Sequence, residues 1–358
     1  MKLKNLSENI LKVVKSKGFK YIDLPYVIEA NHIVQRSGEN FRKFIFSFTD
    51  HNGIELCLRP DLTIVSCLRY LENNLSGKEK ISYSGQAYRK SQNKKNSIIR
   101  DQIGFEILGS KKEKNDDREI INTSLKIIEN INYSSGTLTI GNVEIFKLLI
   151  SKLKIPLRWK LRLQRHFWRE EYFNDLLKRL ETNSDYDPTS DYDSTIAESD
   201  KRLYVKMLEE DPSTIVAGRT INEILIRFNN KIRDPRKTNE GKKVSKIIKD
   251  FLKIKCPVKE AANELNKFFK KNKINLVVDQ RYFPISKNKI SKLDVLFSTS
   301  FGRQLEYYTG MVFKIDIKSK NKKKNIINGG RYDGLISDLG SKKQTSAVGA
   351  ALNLNYLW

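Results

Sequence analysis

Arg303-Gln304-Leu305-Glu306-Tyr307-Tyr308-Thr309-Gly310 is the stretch whose reading decides the rest of this chain. The Arg303 guanidinium can fork onto a carboxylate, and tyrosine hydroxyls can hydrogen-bond a ring nitrogen while their rings wall a flat ligand. If the two tyrosines lie on a strand they point to opposite faces, so at most one reaches a ligand directly. Alone, the pair reads equally well as core packing. Two earlier stretches give it context. In Arg59-Pro60-Asp61-Leu62-Thr63 an acid and a hydroxyl meet at a strand-to-helix junction, a set suited to an ammonium group; the plainer reading is a helix N-cap with a structural arginine. In Gln102-Ile103-Gly104-Phe105-Glu106 the Gln and Glu are four apart on a predicted strand and emerge on one face. Gly104 between them leaves room for something to lie flat on the sheet, although a strand glycine also marks bulges.

The chain has 358 residues, 39% of them hydrophobic and 10% aromatic, enough for a substantial core divided between two or three domains. No run approaches the roughly 20 apolar residues of a membrane span, and Met1 to Lys17 reads as a charged amphipathic helix, so the expected location is cytoplasmic, with no membrane partner. Three cysteines (Cys57, Cys67, Cys256) and three histidines (His32, His51, His166) lack metal-ligand spacing; reduced thiols, no metal and no cofactor are expected. The 67 Lys+Arg against 42 Asp+Glu give a formal net charge of +25, which raises nucleic acid as a partner. The lysines are scattered beside Asn and Ile, as in Asn93-Lys94-Lys95-Asn96, a pattern of compositional bias, and nucleic acid is not expected.

Periodicity predicts an opening helix that gives way at Gly18, a short strand at Tyr21 to Pro25, and strands at Phe44 to Phe48 and Ile54 to Leu58 around an Asp50-His51-Asn52-Gly53 turn. A helix is predicted over Asp61 to Leu71, then strands over Lys80 to Arg89 and Ile103 to Leu108 that pair antiparallel. A helix over Asp116 to Ile131 and a strand over Thr137 to Ile140 follow. The middle is mainly helical, through Leu180, from Ile215 to Asn229 and from Lys242 to Lys270, with a loop at Asn183 to Asp193. Strand patterns return at Asn275 to Asp279, Asp294 to Phe297 and Tyr308 to Ile317. Gly329-Gly330 reads as a turn before a helix-like Ala347 to Leu354. The organisation is a core in two parts, 1–142 and 273–358, around a mainly helical insertion, 143–272.

With Tyr88-Arg89 before the second stretch and Asn328-Gly329-Gly330-Arg331-Tyr332-Asp333-Gly334-Leu335 before Ala347-Val348-Gly349-Ala350, the chain resembles the catalytic domain of class II histidine-tRNA ligase. The resemblance implies an α+β fold, a class II aminoacyl-tRNA synthetase-like antiparallel sheet flanked by helices. It implies a histidine pocket in which Asp61, Thr63 and Gln102 hold the α-amino group and Arg89 and Arg303 approach the carboxylate. Glu106 and Tyr308 address the imidazole, and Tyr307 stands beside them.

The departures from that pattern direct the reading of function. Ser91 stands where the ligases carry an acid that seats adenine, and Tyr356 where they carry an arginine that holds the ATP phosphates. Losing that guanidinium costs a phosphoryl-type transition state several kcal/mol, on the order of a thousandfold. Asp61 is shorter than the ligase Glu, and Leu62 and Gln304 replace glycines. No anticodon-binding domain is expected after Trp358, since one needs roughly 100 residues. This combination, with Thr139-Ile140-Gly141-Asn142-Val143-Glu144, resembles the regulatory subunit of ATP phosphoribosyltransferase. That resemblance implies no catalysis of its own and self-association as a dimer. It also implies assembly with a short catalytic subunit into a glycosyltransferase complex for the first step of histidine biosynthesis, with L-histidine as feedback effector. The alternatives are a short or degenerate histidine-tRNA ligase, an amino-acid-activating paralogue and an RNA-binding module.

Overall fold

The structure, a computed structural model, describes residues 2–37, 39–73, 77–90, 97–131, 133–181, 194–211, 215–216, 219–232, 239–302, 307–319 and 322–356. The chain forms two compact units, one of Met1–Ile145, Ile254–Lys267 and Val277–Trp358, the other of Phe146–Lys253 and Phe268–Leu276.

The first unit is built on a ten-stranded sheet. Its centre is an antiparallel run of Glu79–Tyr88, Ile99–Leu108, Ala347–Asn353, Lys322–Arg331, Met311–Ser319 and Ser135–Asn142, in that spatial order. Two pairings flanking this run are parallel, Lys20–Tyr21 on Glu79–Tyr88 and Leu293–Ser298 on Ser135–Asn142, which makes the sheet mixed; Lys255–Pro257 and Lys289–Ile290 then pair antiparallel with Leu293–Ser298. The predicted antiparallel pair is present, with Tyr83 opposite Gly104 and Ile81 opposite Glu106.

Helix Leu62–Glu72 begins where predicted: the Asp61 carboxylate caps it by accepting from the Ile64 amide at 3.0 Å. Its apolar face carries Leu62, Val65 and Leu68 into the core. Helix Glu113–Glu129 buries Ile120, Ile121, Ile127 and Ile128. The hairpin at Asp50 to Gly53 joins Ser47–Thr49 to Glu55–Leu58, with the Asp50 Oδ1 accepting from the amides of Asn52 and Ile54 and Gly53 at φ +80°.

The helix predicted from Ile215 begins at Ile221, because Ile215–Val216 pairs with Arg219–Thr220. The strand predicted over Tyr21 to Pro25 is only Lys20–Tyr21, that over Phe44 to Phe48 begins at Ser47 after the 3₁₀ turn Glu39–Phe44, and that from Tyr308 begins at Met311. Four further stretches differ more. Ala347–Asn353 is a strand, because it lies between two others with its first four residues buried; such a strand shows no polar alternation and its small apolar run mimics a helix. Gly329 and Gly330 sit inside Lys322–Arg331, where a Cβ would come 2.5 Å from the Phe313 ring and 2.7 Å from the Tyr308 ring. They make room for aromatics rather than a turn. Asn275 to Asp279 forms no strand: the Asn266 amide supplies both backbone hydrogen bonds of Val278, at 2.8 and 2.9 Å, and Asp279 caps the 3₁₀ turn Gln280–Tyr282. The periodicity over Lys242 to Lys270 is broken at Pro257 into helices Glu240–Leu252 and Ala261–Lys271. The predicted loop at Asn183 to Asp193 lies outside the described residues.

The second unit is helical, with Leu157–Arg165, Glu170–Glu181, Ser194–Glu210, Ile221–Ile232 and Glu240–Leu252, and one small hairpin, Ile215–Val216 with Arg219–Thr220. Its centre is aromatic: the Phe146 ring stacks on Phe167 at 3.8 Å, and Phe173 meets both edge-on. Glu181 ties two helices by accepting from Ser245 at 3.0 Å and Lys249 at 2.5 Å.

Arg331 fastens the sheet to helix Glu113–Glu129. Its guanidinium bonds the Asp117 carboxylate at 2.6 and 2.9 Å, the Glu113 carbonyl at 2.8 Å and Asp333 at 2.9 Å. Burial pushes the Asp117 carboxyl up to about 6 against the pull of Arg331. Replacing Arg331 by Met strands a buried carboxylate and is expected to lower stability by about 3 kcal/mol at pH 8. Because Asp117 can then protonate, the loss is smaller at pH 5, and urea unfolding at both values measures the difference.

Candidate ligand site

A cavity of about 330 Å³ opens on one face of the central sheet of the first unit. Asp61, Thr63, Arg89, Gln102, Glu106, Tyr307 and Tyr308 all line it. Three segments remote in sequence thus converge on one concave site. Arg303, the eighth predicted residue, lies outside the described residues together with Ser91, Gln304 and the Tyr356 side chain.

Glu106 forms the floor. It is 1% exposed, and its carboxylate lies in a ring of hydroxyls: Oε1 accepts from Tyr83 at 2.6 Å and from Thr63 at 3.1 Å, and Oε2 accepts from Tyr332 at 2.5 Å. Two glycines make this possible. Gly349 is directly opposite Glu106, and a Cβ there would sit 1.3 Å from Oε2. Gly104 is opposite Tyr83, and a Cβ there would strike its ring at 2.3 Å. What lies flat on Gly104 is therefore the Tyr83 ring, whose hydroxyl reaches Glu106. Burial raises the Glu106 carboxyl to about 7, opposed by the three hydroxyl donors, with the Asp61 charge adding to the rise.

Asp61 stands nearer the mouth. While Oδ1 caps the helix, Oδ2 pairs with Arg89 at 3.2 Å, and Arg89 is further held by the Pro60 carbonyl at 2.7 Å. Arg59 is turned away and serves the core: 2% exposed, it donates to the carbonyls of Gln86, Leu24 and Pro25 and lies 4.1 Å from the Tyr26 ring centre. The plainer reading of Arg59 and of the Asp61 cap is the one observed, and Asp61 combines the cap with a place in the cavity.

Both tyrosines line the cavity, against the expectation that only one would. The segment 307–310 is irregular, with its strand beginning at Met311, so strand alternation does not apply. Tyr307 meets Tyr308 at 5.0 Å and Tyr332 at 5.8 Å, both edge-on. Burial, then the charges of Glu106 and Asp61, hold the Tyr308 phenol well above its ordinary range, so it is a neutral hydrogen-bond donor.

Tyr83, Tyr332 and Gly349 were not assigned roles from sequence. The signal available was the antiparallel pair itself, since a register that sets Tyr83 on Gly104 places its hydroxyl at the next residue of the same face. Arg100, Asn325, Asn328 and Asn353 also line the cavity. Chemically the site offers a buried acceptor, an Asp–Arg pair and the rings of Tyr307 and Tyr308 around one cavity. That set fits a zwitterion bearing a planar hydrogen-bonding ring.

The tightness at Gly349 is testable. Gly349→Ala must displace the Glu106 carboxylate or open the sheet, and a loss of about 1–3 kcal/mol in urea unfolding is expected. Glu106→Gln should do the opposite. The folded-state pKa lies above the unfolded value, so ionisation of this carboxyl opposes folding above pH 7, and the penalty fades as pH falls from 7 towards 4.5. The variant is expected to gain on the order of 3 kcal/mol at pH 8 and little at pH 5.

The sequence model of the family described as histidyl-tRNA synthetase matches residues 1–190 and 230–357. Among curated proteins the chain is similar to the ATP phosphoribosyltransferase regulatory subunit of Brucella anthropi, 27% identical over 94% of this chain and 92% of that protein. It is equally similar to that of Brucella canis, 27% identical over 98% and 95%. Among solved structures it matches an ATP phosphoribosyltransferase regulatory subunit/histidyl-tRNA synthetase from Bacillus halodurans (TM-score 0.57, 17% identity, 99% of this chain and 78% of that one). It also matches histidyl-tRNA synthetase from Nostoc sp. PCC 7120 (TM-score 0.61, 18% identity, 99% and 70%). A family match over residues 1–190 and 230–357, most of the length, establishes that this chain belongs to the histidyl-tRNA synthetase family.

Proposed function

We propose that this chain is the regulatory subunit of ATP phosphoribosyltransferase and that its cavity binds L-histidine as effector. The observation that carries the ligand assignment is the Glu106 carboxylate, fully buried among three hydroxyls in the same cavity that the Asp61–Arg89 pair lines. A histidine zwitterion suits the lining residues, with its imidazole N–H donating to Glu106, its ammonium on Asp61 and Gln102 and its carboxylate on Arg89; Arg303, outside the described residues, is assigned to the carboxylate by the resemblance alone. Tyr308 donates to the second ring nitrogen and Tyr307 walls the ring. Thr63, whose hydrogen is given to Glu106, contributes a lone pair to the ammonium.

The name shared by the curated relatives supports the rest. In this reading the chain is cytoplasmic, performs no catalysis, self-associates as a dimer and assembles with a short catalytic subunit. Histidine bound more tightly in one state of the assembly biases the whole towards that state. Amino-acid activation is the second reading, favoured by the two arginines, Arg89 and Arg100, that line the cavity. ATP–pyrophosphate exchange across a panel of amino acids separates the two, and turnover with histidine would establish activation.

Titration calorimetry with L-histidine, on the chain alone and mixed with the short catalytic subunit, tests the proposal. Histidine-selective binding together with inhibition of the mixed complex is expected, and the absence of both would refute it. Glu106→Gln is expected to weaken histidine at least about thirtyfold, since a buried charge-assisted bond is lost. Affinity should also fall as pH drops below about 7, because the free Glu106 carboxyl takes up a proton that the ligand N–H must displace. That acid limb should be missing in Glu106→Gln.

A further inference from the structure

The helix Leu157–Arg165 of the second unit carries a face that its own fold leaves uncovered. Trp159 and Leu163 point inward, 5% and 0% exposed, whereas Leu157 and Leu161 are 68% and 56% exposed and Arg165 continues the same i, i+4, i+8 row. Lys154 is exposed just before the helix.

The charge around these leucines is not the scattered lysine of the rest of the chain. Lysines outnumber arginines 47 to 20 overall, yet Lys154 to Arg169 holds four arginines (Arg158, Arg162, Arg165, Arg169), two lysines (Lys154, Lys160) and no acid. A bias towards lysine does not produce a local excess of arginine. Three of these cations have neutral partners: Arg162 donates to the Tyr172 hydroxyl at 2.8 Å, Arg169 lies 4.8 Å from the Trp168 ring, and Lys160 donates to the Ser151 carbonyl at 2.6 Å. The field is felt at His166, whose Nδ1 is buried without a partner. Burial, then Arg169, Arg165 and Arg162, hold its imidazole below the usual range.

We propose that the Leu157–Leu161–Arg165 face, with its rim of arginines, is the docking surface for a protein partner that presents an apolar patch ringed by carboxylates. Exposed leucines bordered by arginines are the anatomy of a protein interface, an apolar centre inside a charged rim in which arginine is enriched. Phosphate backbones would use the cations and leave the leucines in water. For the partner's identity the inference rests on the regulatory-subunit reading: it is the short catalytic subunit.

The test uses the full chain and that catalytic subunit, with the dissociation constant read by biolayer interferometry at two salt concentrations. Leu161→Ser/Arg165→Glu removes one apolar contact and two units of positive charge. Lys342→Glu makes the same charge change at an exposed lysine of the first unit. The double variant is expected to weaken assembly at least about thirtyfold and the control less than threefold, with histidine binding unchanged in both. Should the double variant lose helicity by circular dichroism, Arg165→Gln replaces it, with about a fivefold loss expected. Assembly of wild type and double variant within threefold of each other overturns the docking surface and leaves the regulatory-subunit reading intact. Failure of the wild type to assemble overturns both. Salt-sensitive binding of a structured RNA that the double variant loses, with assembly unaffected, also overturns the proposal and assigns the face to nucleic acid.

Discussion

One constraint organises the core of this protein: a carboxylate must be held dry in the middle of a sheet. Glu106 meets it with hydroxyls from three separate elements, Thr63 on a helix, Tyr83 on the neighbouring strand and Tyr332 at the end of another. Each donor requires space that a side chain would fill, and Gly349 and Gly104 supply it. The glycines, the tyrosines and the register of three strands are therefore one device. Shifting any of these strands by one residue would move its members to the other face.

Two arginines of similar burial show how charge is used outside the cavity. Arg59 spends its hydrogen bonds on backbone carbonyls of Leu24, Pro25 and Gln86 and fixes the approach of the chain to helix Leu62–Glu72. Arg331 spends its on carboxylates and a carbonyl and fixes the opposite helix to the sheet. Arg89 differs from both, since it is half-exposed and its partner Asp61 also lines the cavity. That contrast separates two arginines that hold the fold from Arg89, which, like Arg100, lines the cavity.

Local spacing placed Gln102 and Glu106 on one strand face and Asp61 at a helix start, but it was the resemblance to the ligase that joined these stretches into one candidate site. Gln102, Glu106, Asp61 and Thr63 fell where local rules put them. The errors came where tertiary surroundings override local pattern. Ala347–Asn353 is buried between two strands and lost its alternation, and Gly329 and Gly330 answered to the rings of Phe313 and Tyr308, residues not adjacent in sequence. The roles of Tyr83 and Tyr332 depend on strand register and on contacts more than 200 residues apart, as in Tyr332 to Glu106, which no local window contains.

In the proposed reading the group that histidine meets is the buried Glu106 carboxyl, raised to about 7 by burial. The most direct test is carbon-13 NMR of the Glu106 side-chain carboxyl, assigned by comparison with Glu106→Gln, titrated from pH 5 to 9 with and without L-histidine. A midpoint near 7 is expected in the free protein, moving down by more than one pH unit when histidine binds, because a ring N–H donor stabilises the carboxylate. A midpoint unmoved by saturating histidine would contradict it.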